Sequence, residues 1–206
     1  LPVLQPEAPC PQSAIVSQQK DTEQVHLCLG VPGLSHNADQ IYALSVLNNV
    51  LGGGVSSRLF QEIREERGLA YSVYSYHTSY RDSGLLGIYA GTGPANVTQI
   101  LELLMKEVRQ VQAEGIKASE LQRTKDQIKG GMYLGLESVS NRMTRLGRSE
   151  LCYDRVIDPD EVIEKVDAVT QEDILSLAQQ LFRPENFSGV AIGPGDYTPE
   201  LKQWVR

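Results

Sequence analysis

The chain has 206 residues, of which 22% are charged and 41% are hydrophobic, and its formal net charge at pH 7 is −7. A chain of this length can bury roughly 70% of its unfolded surface around one core, and the acidic balance argues against nucleic acid as a partner because phosphate binding requires a basic patch. No apolar run approaches the ~20 residues that cross a bilayer, so we expect a soluble globular protein with no membrane segment.

The proline-rich residues 1–12 predict a linker, because no hydrophobic period develops within them. The chain begins without an initiating methionine or an apolar signal core, as expected of a mature or excised segment. We therefore expect a linker from an absent upstream domain over 1–12 and a single domain over 13–206. Cys10, Cys28 and Cys152 show no C-x-x-C spacing, which indicates a reducing compartment and predicts a cytoplasmic location.

The first part of the domain is predicted to contain two strands and a helix. Residues 14–17 and 24–31 read as strands, and apolar residues alternate along the second. A helix is then predicted from apolar residues at helical spacing. Its N-cap is expected to be Ser35 or Asn37, and the glycines at 52–54 are expected to end it.

The middle of the chain predicts a helix followed by a β-hairpin. The helix covers about 56–67, and Gly68 follows it at the position that favours a left-handed backbone. Residues 71–80 and 85–90 read as strands separated by a polar turn. Because the turn is short, we expect the two strands to be antiparallel.

The next part predicts two long helical segments. Apolar residues recur at helical spacing from Pro94 to Gly115, with one apolar stripe to bury. A longer helical region follows over 119–152 and contains glycines at 130, 131 and 135. Each glycine costs about 1 kcal/mol relative to alanine in a helix, so close packing or a bend is expected near them.

The C-terminal part predicts two short helices and a closing strand. The helices begin at Asp158 and Thr170, and the strand covers 187–192. The order of elements predicts an α+β fold, in which a mainly antiparallel sheet has helices packed on one face as a two-layer sandwich.

The glycine-rich segments do not predict a nucleotide site. The glycines at 52–54 end a helix, and no Gly-Lys-Ser/Thr follows them. The GTGP segment at 91–94 lacks the full dinucleotide-binding pattern and follows a hairpin strand. We interpret both segments as turns, with close backbone packing at 52–54.

A metal site made by this chain alone is not predicted either. His26, His36 and His77 form no H-x-x-H, H-E-x-x-H or H-x-x-E-H arrangement. His26 and Cys28 share a strand face, but two ligands are too few for a closed tetrahedral site. We therefore expect neither a metal nor a cofactor in this chain.

Arg64 and Tyr71 are the candidate functional residues. They flank the predicted helix end at Gly68, so their side chains can converge at the margin of the sheet. A guanidinium and a phenol both donate hydrogen bonds to oxygen, and the pair can hold a carbonyl or an oxyanion. The alternative is that Arg64 belongs to a solvated helix face with ion pairs and that Tyr71 is an ordinary strand aromatic.

Residues 51–76, LGGGVSSRLFQEIREERGLAYSVYSY, closely resemble the second domain of the pitrilysin family of zinc peptidases, which includes insulysin and mitochondrial processing peptidase. The strand at 83–92 carries a further matching pattern, and the similarity extends over nearly the whole chain. The resemblance implies repeated α+β domains that face one another around a closed chamber. It also implies that a preceding domain of the same polypeptide, the expected partner, carries the H-x-x-E-H motif, a downstream glutamate and the Zn²⁺.

The family's substrate-binding arginine and tyrosine correspond to Arg64 and Tyr71, because the R-x-x-x-G-L-x-Y spacing is present without insertion. The resemblance implies that both bind the peptide substrate near the scissile bond and that the phenol stabilises the tetrahedral intermediate. It therefore implies the C-terminal, zinc-free half of a zinc metalloendopeptidase, inactive by itself. The alternatives are a non-catalytic scaffold or partner subunit, like the core proteins of respiratory cytochrome complexes, and a free-standing peptide-binding domain. A homodimer is also compatible with the sequence.

Overall fold

The computed structural model describes residues 8–205; residues 1–7 and Arg206 lie outside the described residues. Most of the linker predicted over 1–12 therefore lies outside the described part. Residues 8–14 are largely exposed and precede the first strand. Across the described residues, no helix combines the length and the apolar character that a membrane crossing requires.

One five-stranded sheet organises the domain. Its strands are β1 (Ile15–Gln19), β2 (Val25–Pro32), β3 (Ala70–Ser79), β4 (Gly84–Thr92) and β5 (Ser188–Gly193), and their spatial order is β1-β5-β2-β4-β3. The pairing of β1 with β5 is parallel, and the other neighbours are antiparallel. The predicted hairpin of β3 and β4 is confirmed, as is the mainly antiparallel sheet, with strand ends within one or two residues of those predicted.

The helices pack on one face of this sheet, as the sequence predicts. They are α1 (Ile41–Gly52), a π-helix (Phe60–Glu65), α2 (Val97–Glu114), α3 (Ala118–Leu136), α4 (Val139–Tyr153), α5 (Pro159–Ala168), α6 (Gln171–Leu181) and α7 (Thr198–Val205). The two-layer α+β class is thereby confirmed.

The core lies between the sheet and α1 and α2. Alternate residues of β2 point into it, and Leu27 and Leu29 are almost fully buried. Leu44 of α1 and Leu101 and Leu104 of α2 are also fully buried there. Replacing any of these leucines by alanine should cost about 2–5 kcal/mol, because the lost transfer free energy adds to that of the cavity.

Three predictions about helix ends are decided by the structure. Asp158 and Thr170 accept N-capping hydrogen bonds from Asp160 and Asp173, so both predicted starts are confirmed. The predicted cap of α1 is wrong, because the helix begins after Gln40 with no side-chain capping bond. Ser35 and Asn37 lie outside the helix, in the preceding segment.

Three further features differ from the sequence-based expectation. The helical region predicted over 119–152 is divided into α3 and α4 at Glu137 and Ser138, so the bend expected near the glycines is confirmed beside Gly135. Close packing, the other expectation, is wrong at Gly130 and Gly131, because an alanine side chain at either position would meet open space. The helix predicted over 56–67 has π rather than α geometry over Phe60–Glu65, half of its predicted length. Helix α7 was not predicted.

Candidate functional site

Arg64 and Tyr71 lie on either side of a tight helix end. Arg64 is in the π-helix, where the Glu66 N–H donates to the Gln61 carbonyl at 2.9 Å. Gly68 then takes φ +62° and donates its N–H to the Arg64 carbonyl at 3.1 Å. The left-handed residue predicted there is confirmed, and it turns the chain into β3 within two residues.

The Arg64 guanidinium lies close to the faces of two aromatic rings. Its Cζ is 4.8 Å from the centre of the Phe60 ring and 5.0 Å from the centre of the Tyr71 ring. Such contacts contribute about 0.5–1 kcal/mol each at exposed sites. The predicted convergence of Arg64 and Tyr71 is therefore observed, and both aromatic contacts limit the positions that the guanidinium can adopt.

The two candidate donors remain accessible. The Arg64 side chain is 38% exposed and Tyr71 is 77% exposed. Tyr71 occupies an irregularity in the pairing of β3 with β4, between Ala70 and Ser72. A bulge of this kind leaves a residue out of the ladder and redirects its side chain. The geometry thus presents a cation and a phenol together at the edge of the sheet.

Phe60 is a site residue that the sequence reasoning missed. It precedes Arg64 by four residues and is half-buried, and its ring packs on the guanidinium. The signal was available in the sequence as an aromatic residue one helical turn before an arginine, a spacing at which side chains meet.

A buried ion pair fixes the beginning of this helical segment. Arg58 donates from Nε and Nη2 to the two carboxylate oxygens of Glu120, each at 2.7 Å. Glu120 also accepts from the Lys117 N–H at the start of α3. Burial is the largest single influence and would raise the pKa of Glu120, but the hydrogen bonds from Arg58 and the Lys117 N–H, together with the positive charges of both residues, outweigh it and the pKa is lowered. The segment that carries Arg64 is thereby attached to α3.

Arg58, Glu120 and Glu107 of α2 form one cluster, in which the negative charge of Glu107 is less well compensated than that of Glu120. The nearest cation to Glu107 is Arg58, with Nη1 3.8 Å from Oε2, too far for a hydrogen bond. Burial raises the pKa of Glu107 despite the attraction of Arg58. The Arg58 Nη1 atom is itself buried without a hydrogen-bond partner. The cluster therefore holds a carboxylate whose ionised form is disfavoured.

Glu62 and Arg67, in the same segment as Arg64, form a hydrogen-bonded ion pair, whereas the ion pair expected of Arg64 is loose. Arg67 donates to Glu62 at 2.8 Å, and Lys106 of α2 approaches the same oxygen at 3.5 Å. The Arg67 hydrogen bond lowers the pKa of Glu62. Arg64 is 3.9 Å from Glu65, a distance that leaves its donors available for another acceptor.

A shallow cleft of about 370 Å³ adjoins the pair and is lined by Arg64, Phe60 and Tyr74, among others. One of its walls is the end of α1, where Gly52 packs directly against β3. A Cβ atom at Gly52 would lie 2.3 Å from the Ser75 nitrogen. The close backbone packing predicted for the glycines at 52–54 is therefore confirmed at Gly52.

The histidines do not form a metal site. His36 contacts the Cys152 carbonyl at 2.8 Å, and His77 contacts Ser45 at 3.3 Å on the helical side of the sheet. His26 lies on the opposite face, with Nδ1 2.7 Å from the Tyr89 hydroxyl. Within residues 8–205, no three His, Cys, Asp or Glu side chains are grouped so that they could hold a metal ion.

Comparison with known sequences gives a family match. A family model described as "Peptidase M16 inactive domain" matches residues 2–128. An uncharacterized zinc protease of Bacillus subtilis is 46% identical over 89% of this chain, and one of Streptomyces coelicolor is 43% identical over 79% of it. The chain spans 45% and 35% of those two relatives, less than half of each.

Comparison with solved structures gives the same fold. A peptidase M16 inactive domain from Pseudomonas fluorescens matches 94% of this chain and 46% of its own, with a TM-score of 0.83 and 24% identity. A chain in the structure of complex III from Candida albicans matches 93% of this chain and 49% of its own, with a TM-score of 0.80 and 20% identity. At these identities the structural matches establish the fold.

Proposed function

Because the chain belongs to the M16, or pitrilysin, family of peptidases as its inactive C-terminal domain, we propose that it forms the zinc-free half of a metalloendopeptidase. In this proposal the chain completes a substrate chamber and supplies Arg64 and Tyr71 to the peptide. The observation that carries the proposal is the pairing of these two accessible donors, with the guanidinium 5.0 Å from the centre of the Tyr71 ring.

The proposed roles follow from the chemistry of the two side chains. The Arg64 guanidinium is a permanent cation that binds a peptide carbonyl oxygen and orients the backbone. The Tyr71 phenol donates a hydrogen bond to the oxygen that gains negative charge in the tetrahedral intermediate. The contact with Phe60 restricts the guanidinium before substrate arrives, which reduces the entropy lost on binding.

The Zn²⁺ is assigned to a preceding domain of the same polypeptide. The described residues of this chain offer no cluster that fits the ion, and more than half of each of the two relatives' lengths lies outside the match. There the ion would polarise the carbonyl and activate water. This chain would contribute only substrate binding and oxyanion stabilisation, and its isolated form should contain no stoichiometric zinc and cleave nothing.

The test is peptide hydrolysis by the full-length protein. Tyr71→Phe and Arg64→Ala should each lower turnover by about 10²-fold or more, as expected for the loss of an oxyanion donor. Tyr80→Phe is the matched control, since Tyr80 is also an exposed tyrosine but follows the far end of β3. Unchanged turnover in both site variants would refute the assigned roles.

An apolar surface on α3 and α4 supports a contact with the preceding domain. Val139 is 79% exposed, Met143 68% and Leu146 46%, and they share one face of α4. Tyr133 and Leu134, near the end of α3, are also exposed. Exposed apolar patches of this kind are typical of interaction sites.

A double substitution tests this contact. Val139→Lys with Met143→Lys should lower the melting temperature of the full-length protein, and an unchanged melting temperature would remove this support.

A non-catalytic scaffold or partner subunit is the second candidate, since the fold also occurs in the complex III structure. The two candidates differ in the preceding domain. An H-x-x-E-H motif upstream of Leu1 in the native gene favours the peptidase, and its absence favours the scaffold. The proposed soluble, cytoplasmic location can be tested by cell fractionation.

A further inference from the structure

The sheet has an open face whose composition is unusual for a charged protein. Within residues 8–205, none of the five strands contains an aspartate, glutamate, lysine or arginine, although 22% of the whole chain is charged. Antiparallel sheets with one solvated face ordinarily carry polar and charged residues there. An uncharged open face therefore suggests that a ligand of matching chemistry binds on it.

An uncharged row crosses the open face from one edge to the other. Strand register places Val16 beside Val190, Val190 beside Cys28, Cys28 beside Tyr89, and Tyr89 beside Tyr74. We call these five residues the neutral row. It is about 19 Å wide, because neighbouring strands lie ~4.8 Å apart, and this is enough for about six residues of extended peptide. Val16, Val190 and Tyr74 are 50%, 37% and 43% exposed.

The polar groups around the neutral row are paired with one another. His26 and the Tyr89 hydroxyl are 2.7 Å apart, and the Cys28 sulfur and the Tyr76 hydroxyl are 3.6 Å apart. The contact with Cys28, together with burial, raises the pKa of Tyr76 to about 12, and burial raises that of Tyr89. Both phenols therefore stay neutral at physiological pH, and the row presents aromatic rings and aliphatic groups.

The neutral row is continuous with the Arg64–Tyr71 pair. Tyr74 ends the row on β3 and also lines the cleft that contains Arg64 and Phe60. The Tyr74 and Tyr89 rings are 5.0 Å apart between centroids, so the aromatic surface extends inward from that cleft. A peptide held by Arg64 and Tyr71 can continue directly onto this surface.

We propose that the neutral row binds the substrate segment next to the cleaved bond and selects uncharged aromatic or aliphatic side chains. The inference rests on the proposed function, because the occupant is the peptide that Arg64 and Tyr71 hold. A charged side chain on the row would lose hydration without gaining a counter-charge. An aromatic side chain would instead gain ring contacts with Tyr74 and Tyr89 in addition to the burial of apolar area.

Protection of Cys28 from alkylation tests this binding without relying on turnover. The full-length protein is treated with iodoacetamide in the presence of uncleavable peptides of one length, with either Phe and Leu or Glu and Lys beside the blocked bond. Peptide mass spectrometry reports the rates at Cys28 and, as an internal control, at Cys152, which is on α4. We expect the neutral peptide to slow alkylation of Cys28 at least fivefold, the charged peptide to have little effect, and Cys152 to be unaffected.

A charge change on the row provides a second test. Val190→Glu places a carboxylate at the row but away from Arg64 and Tyr71, and it should shift kcat/KM at least tenfold from Phe-containing towards Lys-containing peptides. Val156→Glu is the matched control, since Val156 is 55% exposed and lies in the loop after α4. An unchanged preference in Val190→Glu, with the protein folded, would overturn the inference.

The remaining outcomes separate the inference from the proposed function. Equal alkylation rates of Cys28 with both peptides would overturn the proposal that substrate binds on the neutral row, even if Tyr71→Phe is inactive. If Cys28 does not react even without peptide, another domain covers the open face. If its protection grows with protein concentration, a second copy of the protein covers that face. Either result overturns the inference that substrate binds on the neutral row. Protection by the neutral peptide alone, with full turnover in Tyr71→Phe and Arg64→Ala, upholds the row and refutes the catalytic roles.

Discussion

Replacing Arg58 should destabilise the domain more than replacing any exposed arginine near it. Arg58→Met removes the cation that two buried carboxylates face, since the Glu120 and Glu107 side chains are 13% and 9% exposed. Removing one partner of a buried ion pair typically costs about 3–5 kcal/mol. Glu120 keeps its hydrogen bond from the Lys117 N–H, so we expect the lower end, about 3 kcal/mol.

Thermal and urea unfolding measure this loss. In a domain of this size, 3 kcal/mol corresponds to a fall in Tm of about 6–12 °C. Arg67→Met is the matched control, because its pair with Glu62 is more exposed and should contribute less than about 1 kcal/mol. The double variant Arg58→Met, Glu120→Gln should recover part of the loss, since the charge left unpaired is gone.

The loss should also depend on pH. Without Arg58 the pKa of Glu107, already raised by burial, should rise further. A carboxyl group whose folded-state pKa is raised stabilises the fold below its unfolded pKa and ceases to do so as pH rises through the folded value. The loss in Arg58→Met should therefore be largest at pH 7–8 and smaller near pH 5. A loss below 1 kcal/mol at pH 7, or strictly additive effects of the two substitutions, would refute the reasoning.

Unfolding experiments can also check four other substitutions, two expected to destabilise the fold and two expected to stabilise it. Gly68→Ala should cost about 1–2 kcal/mol because of its positive φ, whereas Gly131→Ala, on an open helix surface, should stabilise by about 0.5–1 kcal/mol; equal effects would contradict the backbone argument. Gly52→Ala should cost about 1–3 kcal/mol because its Cβ would overlap the Ser75 nitrogen, and a neutral result would show that α1 and β3 can separate freely. Glu107→Gln should raise Tm at pH 8 and lose this benefit as pH falls towards the ordinary pKa of a glutamate, because the raised pKa of Glu107 lets the folded protein take up a proton before the unfolded chain does; a benefit that grows on acidification would show the sign to be wrong.

The elements that the sequence predicts well are those with strong local signals. Alternation identified β2, helical periodicity identified α2, and the capping residues Asp158 and Thr170 marked their helices correctly. These signals reflect short-range preferences of backbone and side chains. The predicted N-cap of α1 failed because a suitable residue type does not ensure that the chain turns at that residue.

The elements that the sequence predicts poorly depend on distant contacts. The π-helix at Phe60–Glu65 follows an ordinary helical pattern in the sequence, and no local signal distinguishes it. The ion pair of Arg58 with Glu120 joins residues 62 positions apart. Strand order likewise brings β5 between β1 and β2, a pairing that no single strand specifies.

The sequence by itself determined the α+β class, the family and the two candidate donors, because element periodicity and the R-x-x-x-G-L-x-Y spacing are properties of neighbouring residues. Only the tertiary structure decided that Arg64 contacts Phe60 as well as Tyr71, that a buried ion pair fixes their helical segment, and that uncharged residues of five strands form one row. These features arise when the pairing of distant strands and the packing of helices bring side chains together. The register of the strands and the positions of the helices depend on the whole core rather than on any one segment.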